Sequence, residues 1–293
     1  CNSLVDSIKS SKNVSLNHFN ELESVIYDLS GRIAFLGDVH PDEKIREFGN
    51  EADSEIQNFA LQIFNDPDIY KKFNEIEIDA SDAEEAEFHK DLEIDFNDAG
   101  HSLTHENKSR LLEIDKKLIQ LGISFSENIA KDKTELQFSK DELRGLSNNE
   151  LTNLRKSGKK FVITMSYPDI NAVMENCIVR KTRETTWKAF NNRAVNENSP
   201  ILKEAVVLRN EKAELFGFNT WSEYRLQNRM AKSPKNVEAM YDNLIPKLQK
   251  AAEVEKKELV IDDIEVKDIA PWDIRYFISS ERSKVSSIEN SEL

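Results

Sequence analysis

Little in this sequence breaks a helix. Of 293 residues only 8 are glycine and 7 are proline, which argues against a turn-rich sandwich and for long helices with solvated outer faces. Cysteine is nearly missing. Cys1 and Cys177 cannot build a disulfide framework or a four-thiolate zinc site, and they point to a reducing compartment, the cytoplasm. A cysteine at position 1 invites comparison with a processed lipoprotein, but no signal segment accompanies it, and a fragment boundary is the simpler reading. Apolar runs are a few residues long, far below the roughly 20 that cross a bilayer. There is no GxGxxG or GKS/T phosphate loop and no GxSxG elbow. Cations are outnumbered, 40 Lys and Arg against 54 Asp and Glu for a net charge of −14, so nucleic acid and anionic membranes are not expected as partners.

What is present is helical periodicity with clear punctuation. Phe19, Leu22, Ile26, Leu29 and Ile33 keep one helical rhythm, and Ile45, Phe48, Ala52, Ile56, Phe59 and Ile63 keep another. The spacing predicts an antiparallel helix pair within residues 1–70, turned around His40 to Glu43. Residues 71–100 are acidic at nearly every second or third position and read as a solvated helix face or connector, because the alternating ligands and central glycine of a calcium loop are absent. Residues 101–293 read as a helical body. Leu111, Ile114, Leu118 and Leu121 lie on one face of a helix that Gly122 is expected to stop. Ser147 and Glu150 form a capping box for a helix expected to end at Gly158. Lys160 to Met165 is rich in β-formers and predicts one strand of a small hairpin near 136–165, paired with residues around Leu136 to Phe138. Ser199–Pro200 and Ser233–Pro234 read as helix starts and Gly217 as a stop. Pro246 interrupts the last helical run.

Candidate chemistry is sparse. The histidines are His18, His40, His89, His101 and His105. Only His101 and His105 stand four apart, and the position after the first is Ser102, not the glutamate that would activate a zinc-bound water in an HExxH helix. Gly100 further suggests that the helix begins between the two. Capping or surface roles suit these histidines better than a metal site. Cys177 sits between Met174 and Ile178 like a core residue. Trp187, Phe190, Arg193, Trp221, Tyr224 and Arg225 mix stacking surfaces with donors, and core packing with snorkelling arginines explains them better than a binding stripe.

Several blocks nevertheless resemble the thimet oligopeptidase family of zinc metallopeptidases, which includes oligopeptidase A and dipeptidyl carboxypeptidase. They are HPDEKIRE (His40 to Glu47), LGISFSENI (Leu121 to Ile129), ELRGLSNNEL (Glu142 to Leu151), YPDINAVM (Tyr167 to Met174), RETTWKAFNNRAVNEN (Arg183 to Asn198), the stretch from Leu208 to Val237, and PWDIRYF (Pro271 to Phe277). The resemblance spans about residues 15–277 and covers only the N-terminal helical portion of the family. It implies a mostly α fold, a multi-helical lobe of a zincin-like oligopeptidase with one small β-hairpin, with residues 1–293 as a single lobe.

The same resemblance implies cleavage of short peptides by a zinc ion that an HExxH helix holds in a separate catalytic lobe. No HExxH occurs in these 293 residues, so no catalytic, cofactor-binding or metal-binding residue is assigned here. No zinc is expected on this chain, and the missing catalytic lobe is its expected partner. Inactivity of the chain alone is the expectation, with a peptide-binding or scaffolding protein derived from that lobe as the alternative. The residues after Phe277, rich in serine and charge, are expected to be mobile.

Overall fold

A computed structural model describes residues 2–79, 81–258 and 268–285. Cys1 and the end of the sequence from residue 286 lie outside the described residues, as does part of the last expected connection. Fourteen α-helices are described: α1 (Asn2–Ser10), α2 (Leu16–Leu29), α3 (Leu36–Val39), α4 (Glu43–Asn65), α5 (Pro67–Phe73), α6 (Ala83–Asp98), α7 (His105–Ala130), α8 (Asn148–Asn153), α9 (Tyr167–Asn176), α10 (Arg180–Asn191), α11 (Val195–Leu215), α12 (Trp221–Leu226), α13 (Pro234–Glu258) and α14 (Pro271–Val285). A π-turn, Ser30–Ala34, links α2 to α3. The strands are β1 (Glu135–Phe138), β2 (Lys156–Ser157) and β3 (Lys160–Thr164). The chain is mostly α with one small antiparallel sheet.

Two compact units form, residues 1–130 with 197–232 and residues 131–196 with 233–293. In the first, Phe19, Phe73 and Phe96 meet edge-on or tilted, with ring centroids 4.9–6.1 Å apart. Ile8, Leu16, Leu22, Ile63, Ile69 and Leu92 close round them. Each such side chain contributes about 1.5–3 kcal/mol on burial, so this cluster is the main reason the N-terminal helices pack. The acidic stretch supplies part of it. Asp82 caps α6 by accepting from the amides of Glu84 and Glu85, and Leu92 and Phe96 on that helix are buried. A second cluster joins α7 to α11 through Ile114, Leu121, Ala205 and Leu208, reinforced by Lys212 donating to Asp115 at 2.6 Å.

In the other unit, β3 is the centre of the sheet, in the order β1-β3-β2. The expected pairing of β1 with β3 is present, with Leu136 opposite Ile163 and Phe138 opposite Phe161. β2 adds a third strand. Buried Phe161, Val162 and Ile163 give β3 its pull on the core. Phe138, Leu143, Leu146, Leu151, Val173 and Cys177 complete the cluster around it.

Four punctuation marks act differently from their sequence reading. Gly122 lies inside α7, which runs on to Ala130, because a lone helix glycine costs only about 1 kcal/mol and the apolar stripe continues past it. Gly158 does not end α8. It adopts a positive φ of 61° in the tight turn between β2 and β3, the conformation glycine tolerates best. Pro200 does not start a helix, because α11 begins at Val195 with the proline inside. Asn198 anchors that first turn, donating to the Phe125 carbonyl at 3.0 Å and accepting from Asn128 at 2.9 Å. Pro246, expected to interrupt the last helical run, lies inside α13. Gly217, at φ 82°, ends α11 as expected, and Pro234 opens α13. Of the residues after Phe277, expected to be mobile, 278–285 continue α14 with Ser279 buried, and 286–293 lie outside the described residues.

Candidate functional site

The histidines are placed by structure rather than by chemistry. His18 caps α2, its Nδ1 accepting from the Ser15 amide at 3.3 Å, and His40 Nδ1 accepts from the Asp42 amide at 3.1 Å. His89 stacks on Phe73. His101 precedes α7 and His105 opens it, so the two do not share a helix face. His101 donates through Nε2 to the Phe64 carbonyl at 2.7 Å, and its Nδ1 lies 3.2 Å from the Lys108 ammonium. Burial and that ammonium hold its pKa below the ordinary value. Among the described residues no three His, Cys, Asp or Glu side chains come together in a way that fits a metal ion. No described group fits a zincin site.

Cys177 is fully buried at the end of α9. Its thiol donates to the Glu142 carbonyl at 3.3 Å, and burial pushes its pKa up, the reverse of what a nucleophile needs. The aromatic residues are packed. Trp187 meets Trp272 with centroids 5.7 Å apart, and the Arg193 guanidinium lies 3.8 Å from the Phe190 ring. Tyr224 is buried against Phe216, Phe218 and Trp221, with Arg225 over Trp221 at 5.7 Å.

One arrangement had no sequence signal beyond its membership in two family-like blocks. Arg183 and Asp273 are almost fully buried. Asp273 accepts from Arg183 Nη2 at 2.9 Å, from Arg180 Nη2 at 2.8 Å and from the Ala270 amide at 3.0 Å. Arg183 spends its other donors on the carbonyls of Cys177 and Trp272, at 2.8 and 3.1 Å. Burial alone would raise the Asp273 pKa, yet the hydrogen bonds from Arg180 and Arg183 hold it below the ordinary value. Every strong group here is satisfied, so the network fastens α14 to α10 and leaves nothing for a ligand.

A concave feature of the first unit is a groove of ≈ 610 Å³ bounded by the end of α2, the π-turn, α3, α4 and α7. Leu118, Ile119 and Ile123 line it from α7, and Tyr27 and Phe35 from the α2 to α3 stretch. Those two aromatics are 73% and 54% exposed, large apolar groups left in water beside a cavity. Asp38 and Asp53 supply its charge, with Asn50 and Gln57 beside them. Gln57 Nε2 donates to Asp53 at 2.7 Å. No Lys, Arg or His lines the groove, and nearby Arg32 is already paired with Asp28 at 2.6 Å. Such a surface can bind an apolar group with a cation next to it. Among the described residues none of its side chains belongs to a metal-holding group.

Comparison with known proteins sets this mostly helical chain beside peptidases. Residues 173–293 match the family described as Peptidase family M3. The chain is 29% identical to a thimet-like oligopeptidase of Dictyostelium discoideum, over 77% of this chain and 35% of that protein. It is 28% identical to saccharolysin of Saccharomyces cerevisiae, over 94% and 42%. Oligopeptidase A of Haemophilus influenzae is 31% identical, over 68% and 32%. The resemblance to the thimet oligopeptidase family therefore holds across most of the chain, which spans 32–42% of the length of these curated relatives. No described helix is long and apolar enough to cross a membrane.

Proposed function

We propose that this chain is the N-terminal helical portion of a zinc-dependent endopeptidase of short peptides, acting as one lobe beside a catalytic lobe. The zinc and its general base then belong to an HExxH helix outside these 293 residues, and the chain alone hydrolyses no peptide. The cytoplasm is the compartment this reading takes. The observation that carries the proposal is the lopsided coverage: the matches take in 68–94% of this chain but only 32–42% of its relatives, and the 293 residues contain no HExxH. A zincin site needs three protein ligands and a base held together, and the described side chains offer no such group.

Metal analysis of the purified chain, run beside cleavage of an internally quenched peptide, tests it. The expected result is no stoichiometric zinc and no cleavage. One tightly held zinc per chain, with hydrolysis lost on chelation, would overturn the reading.

A further inference from the structure

Six of the eight glycines have a reason in the backbone. Gly100, Gly145, Gly158 and Gly217 have positive φ, and Gly37 and Gly49 lie where α3 and α4 approach too closely for a side chain, since a Cβ on Gly49 would be 2.3 Å from the Gly37 nitrogen. Gly31 and Gly122 have no such reason. Neither has a positive φ, and a Cβ built on either meets nothing within 4 Å. Both sit inside helical segments, where glycine is the poorest choice after proline. Both line the same groove. Gly31 lies within the π-turn Ser30–Ala34, and π-turns within helices are frequent at functional sites.

We propose that this groove is a binding site for an extended peptide segment in which an apolar side chain adjoins an arginine or lysine. The apolar part lies against Tyr27, Phe35 and Ile119, and the cation is held by Asp38 and Asp53. Gly31 and Gly122 keep the floor clear, because any larger residue there would project into the space the peptide occupies. The volume, ≈ 610 Å³, falls in the range of pockets that enclose small ligands and accommodates a few side chains. Charge decides between peptides: two carboxylates with no lining cation attract a basic residue and repel an acidic one. Choosing a peptide over a free amine rests on the oligopeptidase reading, whereas the groove and its charge do not.

The test is fluorescence anisotropy of the 293-residue chain with a labelled, end-blocked hexapeptide carrying a central leucine-arginine pair. The comparisons are the same peptide with glutamate in place of arginine, and unlabelled arginine amide as competitor. Wild type is expected to bind the basic peptide at least about tenfold more tightly than the acidic one. Gly122→Leu should weaken the basic peptide by about tenfold or more with no loss of thermal stability, since the new side chain meets only open groove. The Asp38→Asn/Asp53→Asn double variant should retain its circular dichroism and lose the discrimination between the two peptides. Equal binding of both peptides, no binding at about 1 mM, Gly122→Leu binding as wild type does, or arginine amide competing as strongly as the peptide would each overturn the proposal. The readout needs no cleavage, so a failed groove leaves the zinc and hydrolysis results untouched, and the reverse also holds.

Discussion

Two chemically identical substitutions, Gly122→Ala and Gly49→Ala, should change stability in opposite directions. Both positions are inside helices, so both gain about 0.8–1.0 kcal/mol from the better helix propensity of alanine. At Gly122 the added methyl meets nothing within 4 Å, so that gain is the whole effect. At Gly49 the methyl would lie 2.3 Å from the Gly37 nitrogen, 2.8 Å from its Cα and 3.0 Å from the Leu36 carbonyl carbon. These are backbone atoms of α3, which cannot swing aside as a side chain can. The helices must separate, and overpacking of this kind costs about 1–3 kcal/mol or more. Gly49→Ala should therefore lose up to about 2 kcal/mol net, after the propensity gain is subtracted. Differential scanning calorimetry reads both. For a chain of this size 1 kcal/mol moves Tm by about 2 °C, so Gly122→Ala should melt about 2 °C higher and Gly49→Ala up to about 4 °C lower. Because the two units can melt separately, the shift should appear in the transition of the unit that holds residues 1–130. If both variants moved Tm in the same direction, the close approach at Gly37 and the open space at Gly122 would not be properties of the molecule.

Further outcomes follow from the buried polar groups. Asp273→Ala should cost about 3–5 kcal/mol in urea unfolding, because Arg183 stays buried without its carboxylate, and a loss below about 1 kcal/mol would make the pair a surface-like contact. The folded Asp273 carboxyl titrates below its ordinary value, so its stabilisation is fully present above about pH 4 and is lost as pH falls through the depressed folded value. Asp273→Asn should therefore flatten the acid limb of stability against pH, and an unchanged limb would count against the assignment. In a Cys1→Ser background, Cys177 should resist iodoacetamide at pH 8 until urea is added, since its thiol is fully buried and its pKa raised; fast labelling of the native chain would contradict its place in the core.

The helices were legible because their signal is local and repeated. Phe19 and Leu22, or Ile114 and Leu121, recur at helical spacing and are buried together, so each turn restates the pattern of the one before. The strand pairing was legible for the same reason on a shorter scale. Punctuation was less reliable, since one residue has several uses. Gly122 in mid-helix and Gly158 in a strand turn look alike in sequence, and only φ separates a stop from a tolerated cost. Amphipathicity also predicts a helix better than it predicts burial. α13 forms as its pattern requires, yet Met240, Tyr241, Leu244, Ile245 and Leu248 on its apolar face are 40–56% exposed. The groove was not legible at all, because its lining comes from residues 27 to 126 on separate helical segments.

The Arg183–Asp273 pair shows why even a recognised block can hide its most important residue. RETTW and PWDIRYF were each readable as family-like runs, and the aromatic residues in them drew attention because they alter hydropathy. Arg183 and Asp273 do not. In isolation each is an ordinary charged residue on a helix, a class almost never fully buried unless paired, and 90 positions separate them. Burial of one is affordable only because the other is there, with Arg180, the Ala270 amide and two carbonyls completing the set. That mutual condition cannot be expressed by any single segment. Periodicity reports what a residue does for its own helix, whereas ion pairs, close helix crossings and grooves report what two distant segments do for each other. In this chain the second kind of information holds α14 against α10 and opens the groove at Gly31 and Gly122, and both become visible only once distant residues are placed side by side.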